Sequence, residues 1–301
     1  MTEAIVVNAQ TETPNTSPVK PPSAKGFRGP NRWRAIGSNI AFGIACLIIA
    51  VVIAWAIWPE FFTKYGPTEP IPGGRLLPPS AEHPFGTDNL SQDVYSRMVF
   101  GTYTSVTAAA LAVLGGFLAG SLIGLLAGYL RGWVDEVLMR IVDVLLSIPS
   151  ILLSLAIVAS LGFGIVNLAI AVGITSTAAF ARVMRSSVLR EAEAVYVEAA
   201  RMSGARWPAV IGRHVLPNSI TPVLAMAALE FGTALLAISA LSYLGFGAPA
   251  DVPEWGSQVS LGRDYIATAG WLTTFPGLVI VAVVLAANVI SNRLNRGVRR
   301  K

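Results

Sequence analysis

The chain has 301 residues, of which 53% are hydrophobic and only 13% are charged. Soluble globular domains are about 25% charged, so this composition argues against a soluble domain and favours an integral membrane protein. One cysteine excludes an internal disulfide, and two histidines far apart in sequence argue against a metal site built on imidazole. The net charge of +5 could suit nucleic acid, but the basic residues are not interleaved with aromatics on a soluble domain, so we expect no nucleic-acid binding.

Six stretches are long and apolar enough, or nearly so, to cross a membrane as helices of about 20 residues. The predicted spans cover residues 37–58, 104–130, 137–161, 165–184, 221–246 and 272–291. Residues 1–36 precede them as a basic tail rich in Pro, Thr and Ser, which we expect to be disordered. The first apolar run is longer than the 7–15-residue core of a signal peptide, so we expect an uncleaved span. The predicted fold is an all-α membrane protein with one domain, 37–301.

The lysines and arginines predict how this domain is oriented. Seventeen of them lie in the N-terminal tail, the loop between spans two and three, the segment between spans four and five, and the C-terminal tail, against four in the remaining loops. Short cytoplasmic loops carry the excess of Lys and Arg. Both termini and the segment between spans four and five are therefore predicted to be cytoplasmic, in a multi-pass membrane protein.

Charged residues and prolines within the predicted spans carry expectations about local structure. Pro149 is expected to kink the third span. Arg140 and Asp143 stand three positions apart in the same span and are expected to pair with each other. Thr221 and Pro222 resemble an N-cap followed by proline at the first helical position, which predicts that the fifth span begins there.

The second span carries a glycine at every fourth position. These glycines are Gly116, Gly120, Gly124 and Gly128. The spacing places them on one helix face and lets a neighbouring backbone approach closely. Whether that neighbour belongs to this chain or to another subunit is left open by the sequence.

Glu230 lies near the middle of the fifth span without a basic residue beside it. A charge at that depth costs about 2.5–3.5 kcal/mol on the insertion scale. The carboxylate could face a translocation path, face another helix, or be protonated, and the sequence alone does not decide among these.

The segment between spans four and five is polar and rich in helix-forming residues. Glu198 and Arg201 are expected to pair on one helix face. Gly204 can end that helix or adopt positive φ at a turn, and Pro208 suits the first turn of a second helix, which Pro217 is expected to stop. The prediction is a compact helical hairpin that either docks onto a partner or lies on the membrane surface.

This segment resembles the cytoplasmic EAA loop of ABC-importer permeases, in which Glu-Ala-Ala, a glycine and Leu-Pro recur at fixed spacing. The residues in register are Glu198, Ala199, Ala200, Gly204, Leu216 and Pro217. His214 stands where an aliphatic residue is usual. The resemblance implies that this loop, including Arg206, docks onto a separate ATPase subunit.

Other segments are similar to the C-type permease subunit of dipeptide, oligopeptide and nickel importers. They are His83–Leu90, Gly132–Asp135, Leu241–Gly247, Pro253–Gly256 and Phe275–Gly277. The chain departs from that family at Ile238, where a glutamate is common, while Glu230 lies two turns earlier. The resemblance implies a subunit in the bacterial cytoplasmic membrane that imports di- or oligopeptides, with nickel or another small solute as the alternative.

The implied complex contains a second homologous permease, one or two ABC ATPase subunits and an extracytoplasmic substrate-binding protein. ATP and magnesium would be bound by the ATPase, because this chain has no phosphate-loop sequence. We therefore expect no enzymatic activity, no catalytic residue, no metal site and no cofactor in the chain itself. The rival classes are an ATP-independent carrier or channel and a membrane anchor.

Overall fold

A computed structural model describes residues 32–298, with side chains described for residues 39–293. The α-helices, numbered in chain order, are α1 Arg32–Ile57, α2 Pro59–Phe62, α3 Val94–Leu130, α4 Gly132–Ser147, α5 Ser150–Leu161, α6 Ile165–Ala192, α7 Val195–Met202, α8 Trp207–Val210, α9 Leu216–Leu241, α10 Trp255–Gly262 and α11 Trp271–Val298. Within these residues β pairing is limited to two isolated bridges. Of the tail at residues 1–36, for which we predicted disorder, residues 1–31 lie outside the described residues and residues 32–36 belong to α1.

Five helical segments of the described chain are long and apolar enough to cross a membrane. They are Asn39–Ile57, Val94–Leu130, Ile165–Ala192, Trp207–Phe246 and Trp271–Arg293. The predicted third span is instead divided into α4 and α5, which meet at 96° and count as a sixth crossing only if taken together. The helical membrane fold predicted from the sequence is therefore confirmed, with one of its six spans broken.

The break between α4 and α5 lies at the proline that was expected to produce a kink. Ile148 is extended, with φ −94° and ψ 131°. A residue before proline avoids the helical region because the proline ring clashes with it, and proline itself has no N–H to donate. Pro149 then precedes the first residue of α5, so the local steric effect is a full break rather than a bend.

The predictions for Pro217 and Pro222 were wrong. Pro217 lies in the first turn of α9, and Pro222 lies inside the same helix. A π-helical turn, Ile211–Val215, precedes α9, and the N–H of Leu216 donates to the carbonyl of Ile211. In the π turn each N–H donates to the carbonyl five residues back instead of four, so the hydrogen-bond pattern shifts by one residue before α9 begins. Pro217 therefore lies in the first turn of α9, where a residue without an N–H loses no helical hydrogen bond. The second hairpin helix therefore continues into the fifth span without a stop.

The central contact of the fold joins α3 to α6 along the glycine face of α3. A Cβ on Gly120 would come within 2.5 Å of the carbonyl oxygen of Thr177, and one on Gly124 within 2.4 Å of that of Ala181. Gly116 and Gly128 likewise face α6, next to Gly173 and Val188 respectively. The neighbour left open by the sequence is therefore a helix of this chain. Helix α9 packs against both α3 and α6, and α11 packs against α9.

Candidate functional site

The segment between α6 and α9 is a hairpin made of α7, a turn at residues 203–206, and α8. The turn is a Schellman motif: the N–H of Gly204 donates to the carbonyl of Arg201 at 3.0 Å, and that of Ala205 to the carbonyl of Ala200 at 3.2 Å. Gly204 has φ +81°, a conformation that glycine adopts without steric cost. Pro208 lies in the first turn of α8, as predicted.

Most of the predicted site residues lie together on the exposed side of this hairpin. Glu198, Ala199, Gly204 and Arg206 are exposed, and Ala200 is half-buried. Leu216 and Pro217 lie further on, in the first turn of α9, where Leu216 packs against the hydrophobic core and Pro217 is exposed. The residues of the EAA-like pattern thus lie in two places, on the hairpin and at the start of the spanning helix α9.

Large apolar side chains are exposed on the same hairpin, and the sequence analysis did not single them out. Val195 is 81% exposed, Met202 80% and Trp207 63%, whereas Val197 is the buried residue of α7. Exposed apolar groups clustered at a loop mark surfaces for protein or membrane contact. The sequence feature that could have identified them is that they are apolar residues placed between charged ones, outside any apolar run.

Tyr196 ties the base of the hairpin to the two long helices on either side. Its hydroxyl donates to Glu191 Oε2 of α6 at 2.5 Å, and Asn218 Nδ2 of α9 donates to the Tyr196 oxygen at 3.1 Å. The hydrogen bond to the Glu191 carboxylate raises the pKa of Tyr196 above its ordinary value. Tyr196 therefore links the hairpin to the ends of α6 and α9.

The expected pair between Glu198 and Arg201 is not formed. The Arg201 guanidinium lies over the ring of Tyr129, 5.5 Å from its centroid. The two side chains instead line a polar cleft of about 380 Å³, together with Arg131 and Glu193, which pair with each other at 2.8 Å. An aromatic face close to the helix competes for the guanidinium, and this leaves Glu198 open to a partner.

The expected pairing of Arg140 with Asp143 was also wrong. Asp143 accepts from Arg182 of α6 at 2.8 Å, and Asp135 accepts two hydrogen bonds from Arg185 of α6, at 2.5 and 2.6 Å. Both contacts join α4 to α6. These aspartates pair with arginines of α6 rather than with Arg140 because the packing of α4 against α6 brings the opposite charges together. The geometry is bidentate at Asp135.

Glu230 lies in the part of α9 that packs on α6. Ser176 donates to its Oε1 at 2.8 Å, and the side chain is half-buried. Throughout the described part of the chain, no nitrogen of Lys, Arg or His lies within 4.0 Å of the carboxylate. Of the possibilities left open by the sequence, the contact with another helix is present.

At the opposite end of α3, the loop before the helix is fixed by buried polar contacts. Asp93 caps α3 by accepting from the N–H and hydroxyl of Ser96, at 2.7 and 2.8 Å, and its other oxygen contacts His83 Nδ1 at 3.0 Å. Asp88 Oδ2 lies 4.0 Å from Arg97 Nε, and burial raises the pKa of Asp88. These contacts therefore hold the segment between residues 83 and 90 against the first turn of α3.

Helix α10 is anchored onto this end of α3. Glu254 caps α10 by accepting from the N–H groups of Gly256 and Ser257, at 2.9 and 2.7 Å. The buried indole of Trp255 donates to the carbonyl of Met98 at 2.9 Å. The segment after the fifth span thus packs onto the start of the second.

Residues 120–301 match the family of binding-protein-dependent transport system inner membrane components. The chain is 39% identical over 92% of its length to a dipeptide transport system permease protein of Alkalihalophilus pseudofirmus, of which 92% is covered. It is 37% identical over 90% of its length to a glutathione transport system permease protein of Pectobacterium atrosepticum, of which 91% is covered. It is 35% identical over 92% of its length to a probable D,D-dipeptide transport system permease protein of Escherichia coli, of which 93% is covered.

Solved structures share the fold. Inward-facing structures of the methionine ABC transporter MetNI align with a TM-score of 0.56 at 19% identity, covering 67% of this chain and 96% of that one. An amino acid ABC transporter crystallised with histidines aligns with a TM-score of 0.52 at 21% identity, covering 69% of this chain and 95% of that one. The chain belongs to the binding-protein-dependent inner membrane component family. It is the permease subunit of an ABC importer, a multi-pass protein of the cytoplasmic membrane, and a translocation subunit rather than an enzyme.

Proposed function

We propose that this permease imports di- or oligopeptides and that its α7–α8 hairpin is the surface on which a separate ATPase subunit docks. The observation that carries the proposal is the hairpin itself, which presents Glu198, Gly204 and exposed apolar side chains together. The peptide assignment is supported by the relatives, whose names refer to a dipeptide, glutathione and a D,D-dipeptide, all of which contain amide-linked amino acids.

The mechanism of coupling follows from how the hairpin is held. ATP and magnesium are bound by the partner ATPase, and closure of two ATPase subunits moves the docked hairpin. Tyr196 and the unbroken passage from α8 to α9 carry that movement to α6 and α9. The apolar residues Met202 and Trp207 bury against the partner, and Glu198, which forms no ion pair in the described part of the chain, meets a basic group there.

The proposed complex has a second homologous permease and an extracytoplasmic substrate-binding protein besides the ATPases. The hairpin and both termini face the cytoplasm, in accordance with the excess of Lys and Arg on that side. The segment at residues 63–93 and α10 then face outward, where the binding protein delivers the substrate. As the two permeases move, the translocation pathway opens alternately to the outside and to the cytoplasm.

Docking is tested by purifying the tagged chain with its partner subunits and comparing two glycine variants. A Cβ on either Gly204 or Gly277 meets nothing within 4 Å, but only Gly204 has positive φ. Gly204→Val should therefore distort the hairpin and lose the ATPase subunit, whereas Gly277→Val should retain it. Charge reversal at Glu198, as Glu198→Lys, should also weaken co-purification. Retention of the ATPase at wild-type stoichiometry by both hairpin variants would contradict the proposed docking surface.

The substrate is tested by uptake into proteoliposomes that contain the whole complex and its binding protein. Radiolabelled dialanine, glutathione and nickel ion are offered separately, with ATP inside or absent. ATP-dependent uptake of dialanine or glutathione, without nickel uptake, is the expected result. Uptake of nickel alone would replace the peptide assignment with a metal substrate and leave the docking proposal standing.

A further inference from the structure

We infer that Glu230 is a contact site for the positively charged amino terminus of a peptide in transit, an inference that rests on the proposed peptide function. The carboxylate lies near the middle of a candidate span and is half-buried. A carboxylate cannot face lipid there without a large penalty, so intramembrane acids face protein or a water-filled cavity. The exposed side of Glu230 therefore faces a space that is lined by protein in the assembled transporter.

Polar side chains from three helices lie near Glu230. Ser176 of α6 donates to the carboxylate, and its neighbour Thr175 contacts Ser154 of α5 at 3.4 Å. Thr175 already donates to the carbonyl of Val172, so it accepts from Ser154. Adjacent residues of a helix differ by about 1.5 Å in height. Helices α5, α6 and α9 thus bring hydroxyl and carboxylate oxygens to one depth.

The donor set indicates a cation with several N–H groups. A carboxylate has about four acceptor positions, and Glu230 receives one hydrogen bond, from Ser176, within the described residues. No basic side chain in that part of the chain supplies a counter-charge. A bound metal ion would need further ligands, and the described residues hold no group of three His, Cys, Asp or Glu side chains that could bind one. The ammonium of a peptide, with three N–H donors and one charge, fits a single carboxylate beside hydroxyl groups.

The first test compares uptake of radiolabelled dialanine by the whole complex carrying Glu230→Gln, Glu230→Asp or Thr233→Val. Glu230→Gln keeps the shape of the side chain but removes its charge, and should lower uptake about tenfold while stimulation of ATP hydrolysis by the loaded binding protein persists. Glu230→Asp should recover part of the loss. Thr233 lies one turn away on an exposed surface and bonds only the backbone of Glu230, so its isosteric variant should match the wild type.

The second test uses chemical labelling in a Cys46→Ser background, which removes the chain's single cysteine. Glu230→Cys should react with the cationic reagent 2-(trimethylammonium)ethyl methanethiosulfonate, and dialanine delivered by the binding protein should slow that reaction. Leu224→Cys lies on the same helix and is 54% exposed; its reaction should not change with dialanine.

Two results would overturn the inference and leave the peptide function intact. One is wild-type uptake by Glu230→Gln, and the other is a Glu230→Cys thiol that is unreactive in the resting, ATP-bound and vanadate-trapped states. If the wild-type complex takes up no dialanine or glutathione, the peptide assignment fails, and the ammonium contact falls with it.

Discussion

Arg97 shows how much a single side chain can hold together in this permease. It is 2% exposed and donates four hydrogen bonds: to Gln258 Oε1 at 2.9 Å, to the Pro67 carbonyl at 3.0 Å, to Gln92 Oε1 at 2.5 Å and to the Ala250 carbonyl at 2.8 Å. The acceptors come from the loop before α3 and from the segment around α10. The planar guanidinium matches them all at once, which a lysine ammonium could not do.

Replacing Arg97 by Met should therefore destabilise the protein by about 3 kcal/mol, because buried acceptors lose a charged donor. The measurement is the thermal unfolding midpoint of the detergent-solubilised chain. Arg75→Met removes an exposed arginine from the same loop and should leave that midpoint nearly unchanged. Equal midpoints for the two variants would show that the buried network does not stabilise this end of the fold.

At the scale of helices, the glycine face of α3 decides how closely the central pair can pack. Methyl groups on Gly120 or Gly124 would overlap carbonyl oxygens of α6, and a backbone cannot move aside as the end of a long side chain can. The ion pairs of Asp135 and Asp143 with α6 then fix α4 on the same partner. Helix α6 is therefore the common support of α3, α4, α5 and α9.

Gly124→Ala should separate α3 from α6 and lower stability by about 1–3 kcal/mol, the usual cost of overpacking. Gly115 lies in the same helix but meets nothing within 4 Å of an added Cβ, so Gly115→Ala is the matched control and should be neutral or slightly stabilising. Thermal unfolding in detergent distinguishes the two. A Gly124→Ala protein as stable as Gly115→Ala would mean that the pair tolerates a wider spacing than the structure shows.

At the scale of the whole molecule, the number of crossings decides on which side each loop lies. The described residues contain five single-helix spans, and the bent pair of α4 and α5 adds a sixth only if it crosses the membrane as one unit. Six crossings put both termini on one side, as the distribution of Lys and Arg predicts, whereas five would put them on opposite sides.

Cysteines introduced singly into a Cys46→Ser chain should reveal the side by labelling with a membrane-impermeant maleimide. Ser80→Cys and Phe163→Cys are expected to label on intact cells, and Ser203→Cys only after permeabilisation, because α4 and α5 together cross once. All three positions are exposed in the structure. If Phe163→Cys labelled from the side opposite to Ser80→Cys, the α4–α5 pair would be a re-entrant segment and the six-span topology would be wrong.

Features that depend on a few neighbouring residues could be predicted from the amino-acid sequence. Hydropathy located the spans because the transfer of apolar side chains into lipid adds up residue by residue along the chain. Gly204 predicted the end of a helix and Pro149 predicted an interruption of one, since backbone sterics at those positions act within one turn. The hairpin that we propose as the docking surface was recognisable from the spacing of Glu198, Gly204 and Pro217.

Which partner each side chain contacts became clear only from the packing of the helices. Asp143 pairs with Arg182 rather than Arg140, Arg201 stacks on Tyr129 rather than meeting Glu198, and the glycine face meets α6. Arg97 gathers acceptors that lie far apart along the chain, and the passage through Pro217 depends on a shifted hydrogen-bond register. Helix packing brings together groups that are far apart in sequence, and these groups compete for the same partners. The spacing of neighbouring residues therefore does not predict which contacts form.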